Sequence, residues 1–272
     1  MNDIPDGVRD HYRATGLVER LKQALAALGP DEGPLTPQQL SAIDQFHTRG
    51  APATAELAVL ARIGRGESVL DVGSGVGGPA RLLAASCDCR VTGVDLSEDF
   101  VEAARYLSER TGHDAQVSFR YANALDLPFD DASFDVALLQ HVAMNIAQRE
   151  DLYREIRRVL KPGGRFATYD VVASEGEPHH PLPWARLPEA SFLLGFQATR
   201  DAIEAAGLRV LEWRDDTPAA KAWAKQLQAS GMATSPGLGL IMGADFPVLA
   251  ANLARSLLDD RVGVLMAVFE AA

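Results

Sequence analysis

The sequence is poor in cysteine. Two of its 272 residues are cysteines, Cys87 and Cys89, and only one residue separates them. A disulfide across so short a spacing would be strained, and two cysteines alone do not make a metal site. We therefore expect neither a disulfide framework nor a cysteine-bound metal, and we interpret both residues as small side chains at a helix end.

Positive charge and long apolar runs are scarce as well. The chain carries 26 Lys and Arg against 37 Asp and Glu, which leaves a net charge of -11. An acidic surface repels phosphate backbones, so we expect no nucleic-acid partner. No apolar stretch approaches the roughly 20 residues that cross a bilayer, and the first residues lack the basic and apolar segments of a signal peptide. We expect a cytoplasmic protein with no membrane contact.

The apolar content, by contrast, is that of a globular protein, at 47%. From Ser68 to Arg214 short apolar strands alternate with helices, and a last apolar run covers Val262 to Phe269. Strands that alternate with helices imply right-handed crossovers and a parallel sheet. Because the strands are apolar without a polar alternation, both faces of the sheet should be covered by helices. The sequence therefore predicts an α/β fold.

The chain ahead of the first strand has helical patterns. Leucines recur at helical spacing within residues 10–29. Thr36 and Pro37 have the pattern of an N-cap followed by proline at the first helical position, and a further helix is predicted over residues 52–61. We predict an N-terminal helical cap over residues 1–64.

Two segments of the remaining core domain, residues 65–272, depart from the alternation. Residues 174–188 contain four prolines and cannot form a regular element, so we predict a lid or a substrate wall there. Residues 215–260 form an insertion that holds two further predicted helices, Pro218 to Ala229 and Asp245 to Leu258. An insertion of this size could wall off a substrate or build a subunit contact, and a homodimer is left open.

A glycine motif follows the first predicted strand of the core. Gly73, Gly75 and Gly78 satisfy the pattern G-x-G-x-x-G, which lets the backbone turn tightly and approach a ligand at a helix N-terminus. Asp95 ends the next strand, where a carboxylate can accept hydrogen bonds from ribose hydroxyls. A nicotinamide-dependent oxidoreductase would use the same pattern. Asp71 argues against that alternative, because its carboxylate would repel a pyrophosphate and attract a cationic amino acid and a sulfonium.

Five ordered segments between Glu67 and Gly207 resemble the motif series of class I S-adenosylmethionine-dependent methyltransferases: VLDVGSGVGG, VTGVDLS, NALDLPF, SFDVALLQHV and RVLKPGGRFATYD. The flanking segments DQFHTRG and APATAELA are similar to bacterial small-molecule methyltransferases of the sarcosine and dimethylglycine type. The resemblance implies a Rossmann-like, seven-stranded, mostly parallel sheet with an N-terminal helical cap closing on S-adenosyl-L-methionine. It also implies methyl transfer to N or O of a small organic molecule by in-line displacement, with a non-catalytic cofactor-binding module as an alternative.

The resemblance assigns ten residues to the cofactor. They are Gly73, Ser74 and Gly75 for the methionine moiety, Asp95 for the ribose, Leu96, Asn123 and Ala124 for the adenine, Gln140 for the methionine ammonium, and Tyr12 and His47 for closure from the N-terminal side. Four of these residues have structural alternatives. Asp95 could merely cap the following helix, although Ser97 suits that role better, and Tyr12 could be a packed aromatic. His47 could be a core or surface residue, and Asn123 could end a strand through local hydrogen bonds.

Two residues are predicted to handle protons. His141 and Asp170 stand at the carboxyl ends of two neighbouring predicted strands, where open α/β sheets bind their ligands. A histidine that is oriented by a carboxylate is a competent base near neutral pH. The alternatives are a structural histidine and an aspartate that caps a turn. Since methyl transfer from a sulfonium uses an already activated methyl group, we expect no metal.

Overall fold

The computed structural model of the chain describes residues 12, 14–26, 33–230 and 237–272. The strands are β1 Ser68–Val72, β2 Arg90–Asp95, β3 Val117–Tyr121, β4 Phe134–Gln140, β5 Leu160–Ala173, β6 Leu208–Asp215 and β7 Val262–Ala271. The α-helices are α1 Leu17–Ala26, α2 Pro37–Asp44, α3 Ala51–Leu60, α4 Gly78–Cys87, α5 Glu98–Thr111, α6 Arg149–Val159, α7 Phe196–Ala205, α8 Thr217–Ala229, α9 Leu238–Met242 and α10 Phe246–Leu258. Short 3₁₀ turns lie at Ala143–Asn145 and Pro188–Ala190.

The strands form one sheet in the order β3-β2-β1-β4-β5-β7-β6. The pairs from β3 to β5 are parallel, and β7 runs antiparallel between β5 and β6. The predicted seven-stranded, mostly parallel sheet is confirmed. The chain order reverses between β1 and β4, and open α/β sheets bind their ligands beside the carboxyl ends of the strands at such a reversal.

The apolar strands are covered on both faces, as their composition predicts. Val136 and Leu138 of β4 belong to one buried apolar cluster, which includes residues of α3 and α4. Ala137 and Leu139 point the opposite way into a second cluster, which includes residues of α6. Because successive side chains of a strand alternate between faces, a strand buried on both sides needs apolar residues at nearly every position.

A segment with one proline and two glycines lies at the start of β5. Lys161 to Gly164 precede the run that is paired from Arg165 onward, yet β5 already begins at Leu160. Leu160 pairs with Phe134, and the register then shifts before Val136 pairs with Arg165. The extra residues are accommodated as a bulge, with Gly163 at a φ of 72°.

The described part of the N-terminal segment contains the helices α1, α2 and α3. The helix expected over residues 10–29 is seen as α1, and its expected ends, including Leu28, lie outside the described residues. Thr36 caps α2 in a capping box: its hydroxyl accepts from Gln39 N at 3.3 Å and its N–H donates to Gln39 Oε1 at 2.8 Å. The role of residues 1–64 as a cap over a cofactor stays a prediction.

A buried ion pair joins this segment to the core. Arg81 Nη2 of α4 donates to Asp44 Oδ2 at the end of α2, at 2.9 Å, and both side chains are almost completely shielded from solvent. Burial raises the pKa of Asp44 and lowers the pKa of Arg81, and the opposite charge of each partner counteracts the shift. Breaking such a pair leaves an uncompensated buried charge, so the position of α2 against α4 is strongly specified.

Residues 174–188 and residues 215–260 have the secondary structure that the sequence predicts. Residues 174–188 form a mainly irregular segment, and the ring N–H of Trp184 donates to Ser191 Oγ at 2.9 Å. The two helices predicted within 215–260 are α8 and α10, and the short α9 adds an unpredicted turn of helix between them. In the described part of the chain, no helix is both long and apolar enough to cross a bilayer.

Candidate active site

A cleft lies at the carboxyl ends of β1, β2 and β4. Its empty space, including the open solvent at its mouth, is about 1210 Å³. One part of its lining, here called the glycine-loop wall, comes from the strand ends: Asp71, Gly73, Ser74, Gly75, Asp95 and Leu96. A second part, here called the apolar wall, comes from the α2–α3 loop, the proline-rich segment and the insertion: Phe46, Trp184, Met242, Phe246 and Leu253.

The glycine loop is held by backbone hydrogen bonds to the end of β2. Gly73 N and Ser74 N both donate to Val94 O, at 2.8 and 2.9 Å. Gly73 has a φ of 74°, and a Cβ placed on it would lie 2.3 Å from Val142 Cγ2. Glycine is required here both for the left-handed backbone and for the close approach of Val142.

Asp95 is fixed against this loop. Its Oδ2 accepts from Gly75 N at 2.8 Å and its Oδ1 accepts from Ser97 N at 2.9 Å. Burial raises the pKa of Asp95, and these backbone hydrogen bonds oppose the rise. Ser97, not Asp95, caps α5, because its hydroxyl accepts from Phe100 N at 3.4 Å. Asp95 therefore presents a positioned carboxylate to the cleft.

Two buried polar atoms of the glycine-loop wall lack partners among the described residues. They are Asp71 Oδ2 and Ser74 Oγ. Burial, and secondly the negative charge of Asp95, raise the pKa of Asp71 to about 7. An unsatisfied buried polar group costs roughly 1–3 kcal/mol. Such atoms in the lining of a cleft fit a ligand that brings a cation and hydrogen-bond donors, as the amino-acid part of S-adenosylmethionine would.

Tyr12 crosses the cleft from the N-terminal side. Its hydroxyl donates to Asn145 Oδ1 at 3.1 Å, and its ring packs edge-on against Phe100. Its carbonyl accepts from Ser97 Oγ at 3.0 Å, and burial raises the pKa of its phenol. The structure thus brings Tyr12 to the site in which the sequence placed it.

His47 and Gln140 are linked through one threonine. His47 Nε2 lies 3.0 Å from both Gly50 O and Thr54 Oγ1. Thr54 Oγ1 is also 3.2 Å from Gln140 Nε2 and 3.3 Å from Gln140 Oε1. Burial lowers the pKa of His47 to about 4, so the ring is neutral near pH 7. Both predicted residues line the cleft, with Leu96 and Ala124.

Asn123 differs from its expected role. It is absent from the lining of the cleft, although its neighbours Ala122 and Ala124 are present. Its Oδ1 accepts from Leu125 N at 2.9 Å, within a short turn that pairs Asn123 with Asp126. The side-chain oxygen therefore makes a hydrogen bond within its own turn. This is the structural alternative stated above for Asn123, in which it ends a strand through local hydrogen bonds.

His141 lines the cleft directly after β4. Its backbone is left-handed, with a φ of 54°, and its N–H donates to Tyr169 O at 2.9 Å. The imidazole stacks on the Tyr169 ring, with centroids 5.5 Å apart, and Nε2 lies 3.3 Å from Thr48 Oγ1. Burial, and secondly the nearby His47, hold the pKa of His141 well below its usual range.

The expected pairing of His141 with Asp170 is wrong. The Asp170 carboxylate is buried and accepts from Ala143 N at 2.8 Å and from Val171 N at 2.9 Å. Tyr169 and Asp170 are consecutive in β5 and point to opposite faces of the sheet. Since His141 stacks on Tyr169, it lies on the face away from Asp170. Burial raises the pKa of Asp170 to about 6, and its bonds to the turn after β4 give it a structural role.

Sequence reasoning missed the hydroxyl residues around His141. Thr48 bridges His141 Nε2 and the Tyr169 hydroxyl, at 3.3 and 3.0 Å. Thr48 and His141 are 93 positions apart, and no spacing pattern connects them. The one available signal is that Thr48 follows His47 in the DQFHTRG segment. Within the described ranges, no group of three or more His, Cys, Asp and Glu side chains could hold a metal ion.

Comparisons with known proteins agree with this architecture. Residues 70–168 match the family model described as "Methyltransferase domain". The O-methyltransferase cnsE of Penicillium expansum is 31% identical over 192 residues, which cover 70% of this chain and 69% of the relative. The 24-methylenesterol C-methyltransferase 2 of Arabidopsis thaliana is 33% identical over 187 residues, which cover 65% of this chain and 52% of the relative. The chain thus spans about half the length of that relative.

Two solved structures share the fold. A protein of Galdieria sulphuraria described as a sarcosine dimethylglycine methyltransferase has a TM-score of 0.61 at 16% identity, with 85% of this chain and 93% of that chain covered. The [4+2]-cyclase SpnF has a TM-score of 0.64 at 23% identity, with coverages of 88% and 97%. At such identities the likeness shows the fold alone, and SpnF is assigned a reaction other than methyl transfer.

Proposed function

The chain belongs to the family of S-adenosylmethionine-dependent methyltransferase domains, and on this premise we propose that it methylates a small, largely apolar molecule at O or N. The observation that carries the proposal is the glycine-loop wall. There a buried carboxylate oxygen of Asp71, which has no partner among the described residues, and a positioned carboxylate of Asp95 flank one glycine loop. This combination suits a ligand with a cation at one end and a ribose diol beside it.

The donor would be held by residues of that wall and by other residues that line the cleft. Asp71 and Gln140 face the position of the amino-acid part, and Asp95 accepts from the ribose hydroxyls. Leu96 and Ala124 border the adenine, while Tyr12 and His47 cover the cleft from the N-terminal side. When bound, S-adenosylmethionine supplies a methyl group that is already activated on a sulfonium. The chain itself has to align the two molecules and exclude water.

The apolar wall supports an apolar acceptor. Its side chains include two phenylalanines and a tryptophan, and no charged residue belongs to it. A second depression adjoins it and shares Phe46, His47, Pro183, Phe246 and Leu253 with the cleft. The second depression would extend the surface that an acceptor could contact, and the relative that acts on a sterol is consistent with an apolar acceptor.

His141 would receive the proton of the acceptor. Its low pKa keeps the ring neutral near pH 7, so that it has a lone pair to offer. Its stacking on Tyr169 and its contact with Thr48 hold the ring in one orientation. An oriented neutral imidazole at the end of β4 can remove a proton from a hydroxyl or ammonium as the new bond forms.

Calorimetric titration with S-adenosylhomocysteine tests the donor site. We expect binding, and we expect the Asp95→Ala variant to bind roughly 10- to 100-fold more weakly, as for the loss of charge-assisted hydrogen bonds. Asp114→Ala, at an exposed position outside the cleft, is the control and should bind normally. Binding of NADH in place of S-adenosylhomocysteine, or an unchanged affinity in Asp95→Ala, would reject this site.

Formation of S-adenosylhomocysteine in a screen of apolar alcohols and amines, with farnesol as the first probe, tests the transfer. We expect His141→Gln to reduce turnover while its affinity for S-adenosylhomocysteine stays within about twofold. Full activity in that variant would remove His141 from the reaction. Binding without turnover across the screen would favour a non-catalytic module or another reaction on this fold.

The proposal also covers the location of the enzyme, the closure of its cleft and its assembly. We expect a cytoplasmic protein that acts on a free small molecule without nucleic acid, in which residues 1–64 close over the donor and residues 174–188 form a lid. A homodimer built through residues 215–260 is the remaining expectation. Analytical ultracentrifugation of the wild type would test it, since a monomer at micromolar concentration would reject the dimer.

A further inference from the structure

The second depression, which adjoins the cleft, is formed by two parts of the chain. One side comes from the α2–α3 loop and the first turn of α3, and the other comes from the insertion. The residues that the insertion contributes are all apolar: Trp223, Leu238, Phe246, Ala250, Leu253 and Ala254. This side resembles the apolar wall of the cleft in its composition.

The residues shared by the cleft and the second depression lie inside the protein. Three of the five, His47, Phe246 and Leu253, are buried, so they do not form an outer rim. A residue that lines both spaces lies between them. The two spaces are therefore separated by single residues below the surface.

These shared residues begin beside the proposed base. The ring centroids of His47 and His141 are 6.0 Å apart, and His141 lines the cleft but not the second depression. An acceptor whose reacting atom lies beside His141 would therefore have the second depression next to it. Only the end of the acceptor that does not react would extend into that space.

The charge that faces the second depression is compensated. Among the described residues of its lining, Arg49 is the one charged side chain at neutral pH, since burial lowers the pKa of His47 to about 4. The guanidinium of Arg49 pairs with Asp216 Oδ2 at 2.7 Å and with the carboxylate of Glu56. A phosphate or carboxylate would meet a cation that already has two partners, whereas an uncharged apolar chain gains free energy with the area it buries.

One face of α10 keeps the second depression open. Phe246, Ala250, Leu253 and Ala254 recur at the spacing of neighbours on a helix surface. Ala250 and Ala254 line the second depression and not the cleft. A larger side chain at either position would fill the second depression and leave the lining of the cleft unchanged.

We propose that the second depression binds the far end of the acceptor, an uncharged apolar chain, while the reacting hydroxyl or amine lies beside His141. The inference rests on the proposed function. The chain passes the shared residues, and its end contacts Trp223. Ala250 is then a specificity-determining residue, because its small side chain admits long acceptors.

Calorimetric titration of the full chain with straight-chain alcohols, from hexanol to dodecanol, tests the proposal in the presence and absence of S-adenosylhomocysteine. Each methylene that leaves water should raise the affinity about fourfold, and in the wild type this rise should continue to dodecanol. Ala250→Trp should bind hexanol within about twofold of the wild type. It should bind dodecanol roughly 10- to 100-fold more weakly, as for the loss of about two to three buried methylenes.

Ala251→Trp is the matched control. Ala251 is the next residue of α10, is exposed and lines neither space, so both alcohols should bind this variant normally. Equal losses for hexanol and dodecanol in Ala250→Trp, or no loss for either, would overturn the proposal.

Terminally brominated alcohols locate the end of the chain without a filled variant, because bromine quenches the fluorescence of a tryptophan that it contacts. Trp184 lines the cleft, and Trp223 lines the second depression alone. We expect bromododecanol to quench the wild type more than Trp223→Phe, and bromohexanol to quench both proteins equally. Equal quenching of both by bromododecanol would place the chain elsewhere and reject the site. Since no methyl transfer is measured, this site can fail while the proposed activity stands, and an inactive protein can still bind the chain.

Discussion

The two walls of the cleft are built in different ways. The glycine-loop wall comes from two short segments, residues 71–75 and 95–96, which are held by backbone hydrogen bonds. The apolar wall is assembled from the α2–α3 loop, the proline-rich segment and the insertion, and side-chain packing holds it together. Backbone geometry tolerates little change, whereas apolar packing accepts substitutions of similar volume. The donor site is therefore specified tightly, and the acceptor site can diverge while the donor stays the same.

The largest effect should come from the ion pair between α4, which follows the glycine loop, and α2, which precedes the α2–α3 loop. Arg81→Met would leave Asp44 as a buried charge without its partner. We expect the free energy of unfolding to fall by about 3–5 kcal/mol, measured by guanidinium denaturation. The double variant Arg81→Met/Asp44→Leu should recover most of this loss. If the double variant were as unstable as the single one, the loss would not come from the uncompensated charge of Asp44.

A smaller loss should follow from a side chain in the glycine loop. Gly73→Ala would combine a left-handed backbone with a contact of 2.3 Å to Val142, whereas Gly163→Ala has a similar φ of 72° and nothing within 4 Å. We expect Gly163→Ala to cost roughly 1–2 kcal/mol and Gly73→Ala roughly 1–3 kcal/mol more. Thermal unfolding of the two variants measures the difference between their losses of stability. Equal losses would mean that Val142 moves aside and that the loop is less constrained than its geometry indicates.

Titration of Asp71 should make donor binding depend on pH. Its pKa of about 7 in the free protein means that it is partly protonated near neutrality. A bound cation favours the carboxylate, so binding releases a proton and affinity rises as pH increases through 7. From pH 6 to 7.5 we expect roughly an eightfold gain in affinity for S-adenosylhomocysteine by calorimetry. Asp71→Asn should bind weakly with no pH dependence, and an unchanged slope would assign the titration to another group.

The smallest effect should come from the apolar wall. Met242 is half-buried in the lining of the cleft, and Met242→Ala removes apolar contact without exposing a buried charge. We expect farnesol to bind roughly fivefold more weakly. Its binding is measured by the quenching of tryptophan fluorescence. The affinity for S-adenosylhomocysteine should stay within about twofold. A parallel loss of both ligands would show that the two walls are coupled.

Local patterns predicted most of the fold. The apolar strands, the capped helix at Thr36 and the glycine loop each depend on residues close together in sequence, where periodicity and backbone preference are informative. The predicted pairing of His141 with Asp170 failed because strand adjacency alone does not determine which face a side chain occupies. The oxygen of Asn123 is used within its own turn, and its contact with adenine stays a prediction.

The sequence by itself determined the sheet, the glycine loop and the carboxylates Asp71 and Asp95, because these features follow from strand composition and from residues within a few positions of one another. The tertiary structure decided what surrounds His141. Its left-handed backbone turns the ring onto Tyr169, and the α2–α3 loop brings Thr48 to its Nε2. These contacts join segments that are far apart in the chain, and side-chain contacts of that kind arise only when the elements pack together.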